Sequence, residues 1–364
     1  MKKVSTVILT VLATIIIGII LIHTKEEETD ITKDQTKVGM ILNGTSDDNS
    51  WGESHVEGME KCAGKLNLKV EYRESVPVDE SCMDVMETLI QDGCEIIICN
   101  SFGYGEWVAS MAEKYPEIYF FHATGTGSGD NLITYFGRMY QIRYLSGIVA
   151  GLQTNTNEIG YVAAFPIDEV NRGINAFTLG VRKVNPEAVV YVEWSNSWEE
   201  EEAAKIATEK LLDNYNIDVI AMHVDTNVPL DIAEERGIWC IGYNYDNSSV
   251  YENSFLMAPV WRWEEFYEPR ILECLQNKFY GKHYWEDMAS GMLELSPLTD
   301  NVKSGIEEIV AIERWKLESG VWDVFYGPIK DQSGKIRVNE GESMTDQSML
   351  SEFDWYVEGV KIDE

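Results

Sequence analysis

VGMIL, at residues 38–42, runs straight into Asn43-Gly44, an apolar run stopped by turn residues. It reads as a short strand, and the pattern after it decides the fold. Helical spacing at residues 54–66 places Val56, Met59, Ala63 and Leu66 on one face, and a second strand follows at 69–74. An amphipathic helix at 81–92 is stopped by Gly93, a third strand covers 96–99, a helix 107–115 and a fourth strand 119–122. Strand–helix units repeated at this length imply a parallel sheet with helices on both faces.

Beyond a helix at about 140–154 the alternation starts again. Strands are expected at 159–163, 189–193, 219–222 and 239–243, with helices at 170–184, 199–214 and 228–235 between them. The chain therefore builds a doubly wound α/β unit twice, a repeat of architecture without a repeat of letters. From about residue 254 the pattern gives a strand, a long helix at 263–278 and a hairpin-like end around 322–338, a tail suited to crossing back to the first unit and returning to the second. The expected organisation is a first lobe over 37–154 completed by about 258–295, and a second over 155–257 completed by about 296–364.

The chain has 364 residues, more than one hydrophobic core usually serves, so two lobes are natural. Its net charge of -33 argues against a nucleic-acid partner, since affinity for a phosphate backbone comes largely from Lys and Arg. A neutral or cationic solute fits that field better than a phosphate ester. The six cysteines form no CxxC pair and have no histidine at zinc spacing; Cys94 and Cys99 flank an apolar run and read as buried strand residues.

Lys2 and Lys3 precede an uncharged stretch over residues 4–22, and an acidic run follows at Glu26, Glu27 and Glu28. The stretch is close to the length of a membrane-spanning helix, with the positive charge before it, so the bulk of the chain should face outward. Residues 1–23 are read as an uncleaved membrane anchor, with a cleaved signal peptide as the alternative, and 24–36 as a tether.

In open parallel sheets the ligand crevice lies outside the carboxyl ends of the strands. The tips found there are Asn43-Gly44, the loop Asp47-Asp48-Asn49-Ser50-Trp51, Asn100-Ser101-Phe102, His122-Ala123-Thr124, Ala164-Phe165-Pro166, Trp194 to Trp198, His223-Val224-Asp225 and Asn244-Tyr245-Asp246. Small residues, amides, carboxylates and aromatic rings suit a flat heterocycle held by its faces and its edges. Turn and cap duty accounts for many of the polar positions; Trp51, Phe102 and Trp198 at three separate tips are harder to explain that way. Catalysis finds little support. Ser101 sits in no G-x-S-x-G elbow, no phosphate-cradling G-x-x-x-x-G-K-[ST] loop is present, and His223 with Asp225 is too small a set for a metal. No cofactor is expected.

Longer stretches carry a resemblance. GTSDDNSWGESHVEGMEK, SFGYGEWVASMAEKYPEIYFFHATG, NLITYFGRMYQIRYLSGIVAG, IGYVAAFPIDEVNRGINAFTLGVRKVNP, the WSNSW segment and IGYNYDN stand in the order seen in the basic membrane protein family of substrate-binding lipoproteins, and the chain resembles its purine-binding branch. The resemblance implies a periplasmic-binding-protein fold of type I, two parallel-sheet lobes joined by a three-strand hinge. It also implies delivery of a purine nucleoside or base to an ABC permease and its ATPase. Carried over position by position, Trp51 corresponds to the base-stacking aromatic, with Asn49 in the loop before it, and Phe102 to an aromatic lining the first lobe. Asn175 and Trp198 correspond to a polar residue and an aromatic of the second lobe, and Asp225 and Asp246 to acceptors for ribose hydroxyls or a ring N–H. The family's lipobox cysteine is missing, and Asn49-Ser50 stands before Trp51 where relatives carry a glycine. Two other roles share the clamp: a surface sensor for a planar solute such as a nucleoside or flavin, and an extracellular nucleoside-processing enzyme.

Overall fold

Ten parallel pairings build two six-stranded sheets. The computed structural model describes residues 35–362. The anchor read over 1–23, and all but the last two residues of the tether, lie outside the described residues. Among the described residues no helix is long and apolar enough to cross a membrane. Lys37–Glu364 forms one compact unit; the other unit, Met1–Thr36, falls almost wholly outside the described range.

The first sheet contains β1 (Lys37–Ile41), β2 (Lys69–Arg73), β3 (Cys94–Cys99), β4 (Tyr119–Ala123) and β5 (Leu132–Gly137). Helices α1 (Trp51–Leu66), α2 (Cys82–Gln91) and α3 (Gly105–Lys114) alternate with these strands, and α4 (Tyr140–Gln153) leads out of the sheet. The second sheet contains β6 (Glu158–Ala163), β7 (Val189–Trp194), β8 (Val219–His223), β9 (Trp239–Ile241) and β10 (Phe255–Met257), with helices α5 (Asp168–Val184), α6 (Glu201–Asn214) and α7 (Val228–Arg236). β1 lies between β3 and β2, and β6 between β8 and β7. These interior strands are covered on both faces, which is why VGMIL shows no polar alternation.

The tail completes both sheets. After β11 (Pro259–Trp261) and α8 (Trp263–Leu275), strand β12 (His283–Glu286) joins the edge of the first sheet beside β5. Strand β13 (Leu293–Leu295) then pairs antiparallel with β11, and α9 (Ile306–Glu318) returns the chain to the second half. A short hairpin of β14 (Ile329–Lys330) and β15 (Ile336–Val338), then α10 (Asp346–Ser351), lead to β16 (Val360–Ile362), which adds to the second sheet beside β7. The hinge therefore differs from the expected three strands. β11 and β13 form a two-stranded ladder, whereas the first passage, at residues 138–139, goes directly into a helix.

That helix, α4, is locked to α5 by missing side chains. A Cβ on Gly147 would lie 2.0 Å from the Phe177 carbonyl oxygen, and one on Gly180 would lie 2.0 Å from that of Tyr144. Only glycine permits such an approach of two helix backbones. The opening turn of α4 is thereby fixed against the carboxyl ends of the second sheet's strands.

Candidate functional site

The first wall starts from the loop before α1. The Asp48 carboxylate accepts hydrogen bonds from the backbone N–H groups of Ser50, Gly52 and Glu53 at 2.9, 2.8 and 2.9 Å. Free N–H groups at a helix start favour such an anchor, and it aims the first helical residue, Trp51. The indole is 9% exposed, and its Nε1 donates to the Asn100 carbonyl at 2.9 Å. It meets His55, Trp263 and Trp261 edge-on, with centroids 4.4, 5.5 and 5.8 Å away. Those three rings form a stack of their own, with His55–Trp263 at 4.2 Å and Trp263–Trp261 at 4.4 Å. Trp51 is thus held edge-on against one ring of its own helix, His55, and two from the crossover strand and the start of the helix after it, Trp261 and Trp263.

Beside it, at the ends of β1 and β3, lie two amides. The Asn43 N–H donates to Asn100 Oδ1 at 3.0 Å. Asn43 Oδ1 and Asn100 Nδ2 are shielded from solvent with no hydrogen-bond partner. One acceptor and one donor left open in this way are costly unless a guest fills them.

The second wall carries Trp198, whose ring meets Phe165 at 6.0 Å and His223 at 5.9 Å. Its carbonyl accepts from the Asp225 N–H at 2.7 Å. Asn244, in the left-handed region at φ 66°, joins the walls. Its Nδ2 donates to Asp225 Oδ1 at 2.7 Å and to Ser50 Oγ at 3.1 Å, and its Oδ1 accepts from Trp261 Nε1 at 3.0 Å. A hydrogen-bonded path therefore runs from Trp198 through Asp225 and Asn244 to Ser50, the residue before Trp51. Three more contacts hold the walls together: Asn247 Nδ2 and Asn227 Nδ2 donate to the Asn49 carbonyl at 3.1 and 3.3 Å, and Asn43 Nδ2 donates to Glu199 Oε1 at 2.6 Å. The cleft is closed.

Closure crowds three carboxyls. Burial pushes Asp225 well above the ordinary carboxylate range, the Asp48 charge adds to this, and the Asn244 amide opposes it. Glu199 is raised by burial and by Asp48, and Asp48 is raised by burial against the pull of its backbone N–H donors. His223 is held neutral, its pKa pushed down to about 4 by burial and by the nearby charge of Arg143. Among the described residues no group of His, Cys, Asp and Glu could hold a metal ion.

Of the seven residues singled out from the sequence, Trp51, Asn49, Trp198 and Asp225 come together around this cleft, Asn49 through its carbonyl. Three are placed elsewhere. Asn175 is fully buried on α5, where Nδ2 donates to the Trp355 carbonyl and Oδ1 accepts from the Val357 N–H, both at 2.9 Å. Its amide is engaged by the C-terminal segment. Phe102 is 67% exposed and lines no closed wall, because it opens a short 3₁₀ turn that lifts it off the end of β3. Asp246 accepts from the Ser248 N–H at 3.0 Å, capping the turn. The residue that bridges the walls, Asn244, stood two positions before it in the same tip. Trp261 left no local signal; its place depends on the crossover.

Two α/β lobes closed over a polar and aromatic cleft define a solute-binding protein. The family model described as "ABC transporter substrate-binding protein PnrA-like" matches residues 35–320. The chain belongs to this family, whose members bind solutes and are not enzymes. It is 34% identical to the putative ABC transporter glucose-binding protein TsgA13 of Haloferax volcanii, covering 86% of this chain and 77% of that one. It is 32% identical to a purine-binding protein of Brucella abortus, covering 90% of this chain and 93% of the relative. In structure it is similar to an ABC transporter solute-binding protein from Aeropyrum pernix, with TM-score 0.68 at 17% identity over 81% of this chain and 93% of the other. A transcriptional activator of comK from Bacillus halodurans aligns with TM-score 0.69 at 19% identity, over 78% and 98%. The protein is a substrate-binding component of an ABC transporter, a class that works outside the cytoplasmic membrane with a permease and an ATPase as partners.

Proposed function

We propose that the cleft captures a purine base or nucleoside and presents it to a permease, with closure of the lobes as the capture step. The observation that carries this is the open pair beside Trp51: a buried acceptor, Asn43 Oδ1, next to a buried donor, Asn100 Nδ2. A flat ring lying along the indole would offer its edge to both, and purines carry a donor and acceptors on such an edge. Similarity to the purine-binding relative along nearly the whole of both chains supports the reading, and so does the acidic rim of Asp48, Glu199 and Asp225, which favours N–H groups. A sugar is the rival, raised by the Haloferax relative; it would need a ring of hydroxyl partners, and the open pair supplies two. Thermal-shift and calorimetric titration with purine bases, purine nucleosides, riboflavin and glucose tests this. Purines should stabilise the protein; glucose binding with no response to any purine would refute the assignment.

A further inference from the structure

Arg143, in the opening turn of α4, has no role in the contacts described so far. It is 1% exposed, in a chain with 29 cationic residues. Its guanidinium lies 3.8 Å from the centroid of Tyr243, the residue before Asn244. Tyr243 lies 4.8 Å from His223, which meets Trp198. Arg143 therefore forms the floor under the second wall. Nη1 donates to the Met222 carbonyl at 2.6 Å. Nε and Nη2, which share the other edge of the guanidinium, are shut off from solvent and have no hydrogen-bond partner.

The Tyr161 hydroxyl interacts with the Arg143 guanidinium without making a well-formed hydrogen bond to Nε or Nη2. Glu169, held ionised by His223, Arg172 and Arg143 against the effect of burial, is engaged with His223 Nε2 at 3.1 Å. Neutral His223 then donates through Nε2 and accepts the Tyr161 hydroxyl at Nδ1, 3.3 Å away. Arg172 is nearly buried as well and uses Nη1 on the Met349 carbonyl. A buried guanidinium with both donors of one edge free is an arrangement that a partner must complete.

The Nε–Nη2 edge presents two parallel N–H donors, and its complement is a pair of acceptors side by side in one plane. A 6-oxopurine offers this pair as its 6-oxygen and N7; a 6-aminopurine offers N7 beside an N–H, which would face a donor. We propose that Arg143 selects 6-oxopurines, as base or nucleoside, by gripping the 6-oxygen and N7 with this edge. The proposal rests on the purine reading of the cleft and adds to it the face of the ring that meets the second lobe. Its chemistry is shared with carboxylates, so the test separates the two.

The experiment is calorimetric titration of the protein with inosine, adenosine, 7-deazainosine and the planar carboxylate nicotinate. Inosine should bind more tightly than adenosine by on the order of tenfold to a hundredfold, the discrimination typical of one bidentate arginine contact. 7-Deazainosine, lacking the N7 acceptor, should lose most of that advantage. Arg143→Lys keeps the charge without the paired donors and should bring inosine and adenosine to similar affinity. Adenosine binding as tightly as inosine to the unaltered protein overturns the proposal without needing a variant that folds. A preference that survives Arg143→Lys overturns it too, as does nicotinate binding in place of inosine. If no purine binds at all, the purine reading itself fails; if purines bind without preference, only the role of Arg143 does.

Discussion

Replacing Asn175 by Ala separates a ligand contact from a structural anchor. The side chain spans two backbone groups of the C-terminal segment, the Trp355 carbonyl and the Val357 N–H, at 2.9 Å each, and Val357 is 1% exposed. Truncation removes two hydrogen bonds worth about 1 kcal/mol each and leaves a buried donor and acceptor open, which costs about 1–3 kcal/mol more. The expected loss of stability is about 3–5 kcal/mol. Asn171 Nδ2 and Arg172 Nη1, which hold the carbonyls of Phe353 and Met349, should keep the segment in place and prevent complete loss of the fold. In urea, with a slope of about 3 kcal/mol/M for a protein of this size, the midpoint should fall by about 1 to 1.7 M. Affinity for the solute, measured by calorimetry well below the transition, should change less than about twofold, because no cleft residue is disturbed. An unchanged midpoint with a tenfold loss of affinity would show that Asn175 faces the ligand and would refute the placement.

Trp51→Ala should weaken solute binding at least tenfold, since base–aromatic stacking is worth roughly 1–3 kcal/mol. It should also lower stability by about 3–5 kcal/mol, as for other aromatic truncations within a packed cluster, so affinity must be read on the folded fraction. Asp225→Asn should raise the melting temperature at pH 7. A carboxyl raised on folding contributes fully only below its ordinary value near 3.8 and loses that contribution as pH rises through the raised value. The gap between variant and parent should therefore narrow as pH falls toward 4; a gap constant with pH would contradict this. Glu199→Gln keeps an oxygen for Asn43 Nδ2 and removes one of the three crowded charges. It should reduce the radius of gyration of the ligand-free protein in small-angle scattering. A larger radius would show that the carboxylate charge helps closure.

Strand and helix order was legible because both sheets are parallel: interior strands are apolar throughout, and each is followed by an amphipathic helix. β5 was missed although LITYFG is apolar, because the strand that pairs at its outer side, β12, lies about 150 residues away in sequence. β16, three residues long, has no signature apart from its place beside β7. In the site, Trp51 and Trp198 were legible as large aromatics at strand tips, where little else explains them. Asn175 was ambiguous in the sequence for a physical reason. A buried Asn on a helix serves a ligand or a backbone, and the choice depended on a tail that approaches only in the folded chain. Asn244 and Asp246 occupy one loop with similar chemistry; the left-handed backbone at Asn244 turns its amide into the cleft, and pattern alone does not show this.

The closed cleft is a near balance, and this gives the solute its leverage. Four hydrogen bonds join the loops of the two lobes, from Asn43 to Glu199, from Asn227 and Asn247 to Asn49, and from Asn244 to Ser50. At a net 0.5–1.5 kcal/mol each they give roughly 2–6 kcal/mol. Against this stand the crowding of Asp48, Glu199 and Asp225 and the orphaned atoms of Asn43 and Asn100. Each opposing cost is of the size of one or two of those bonds, so the empty clamp gains little by shutting. A guest that stacks on Trp51, answers the two amides and places N–H groups toward the carboxyls turns several of the costs into gains together. A ligand shifts a conformational equilibrium only by its differential affinity for the two states. The indole and the two amides lie on one wall and Glu199 and Asp225 on the other, so only the closed state offers all of these contacts together, and that difference makes closure depend on the solute.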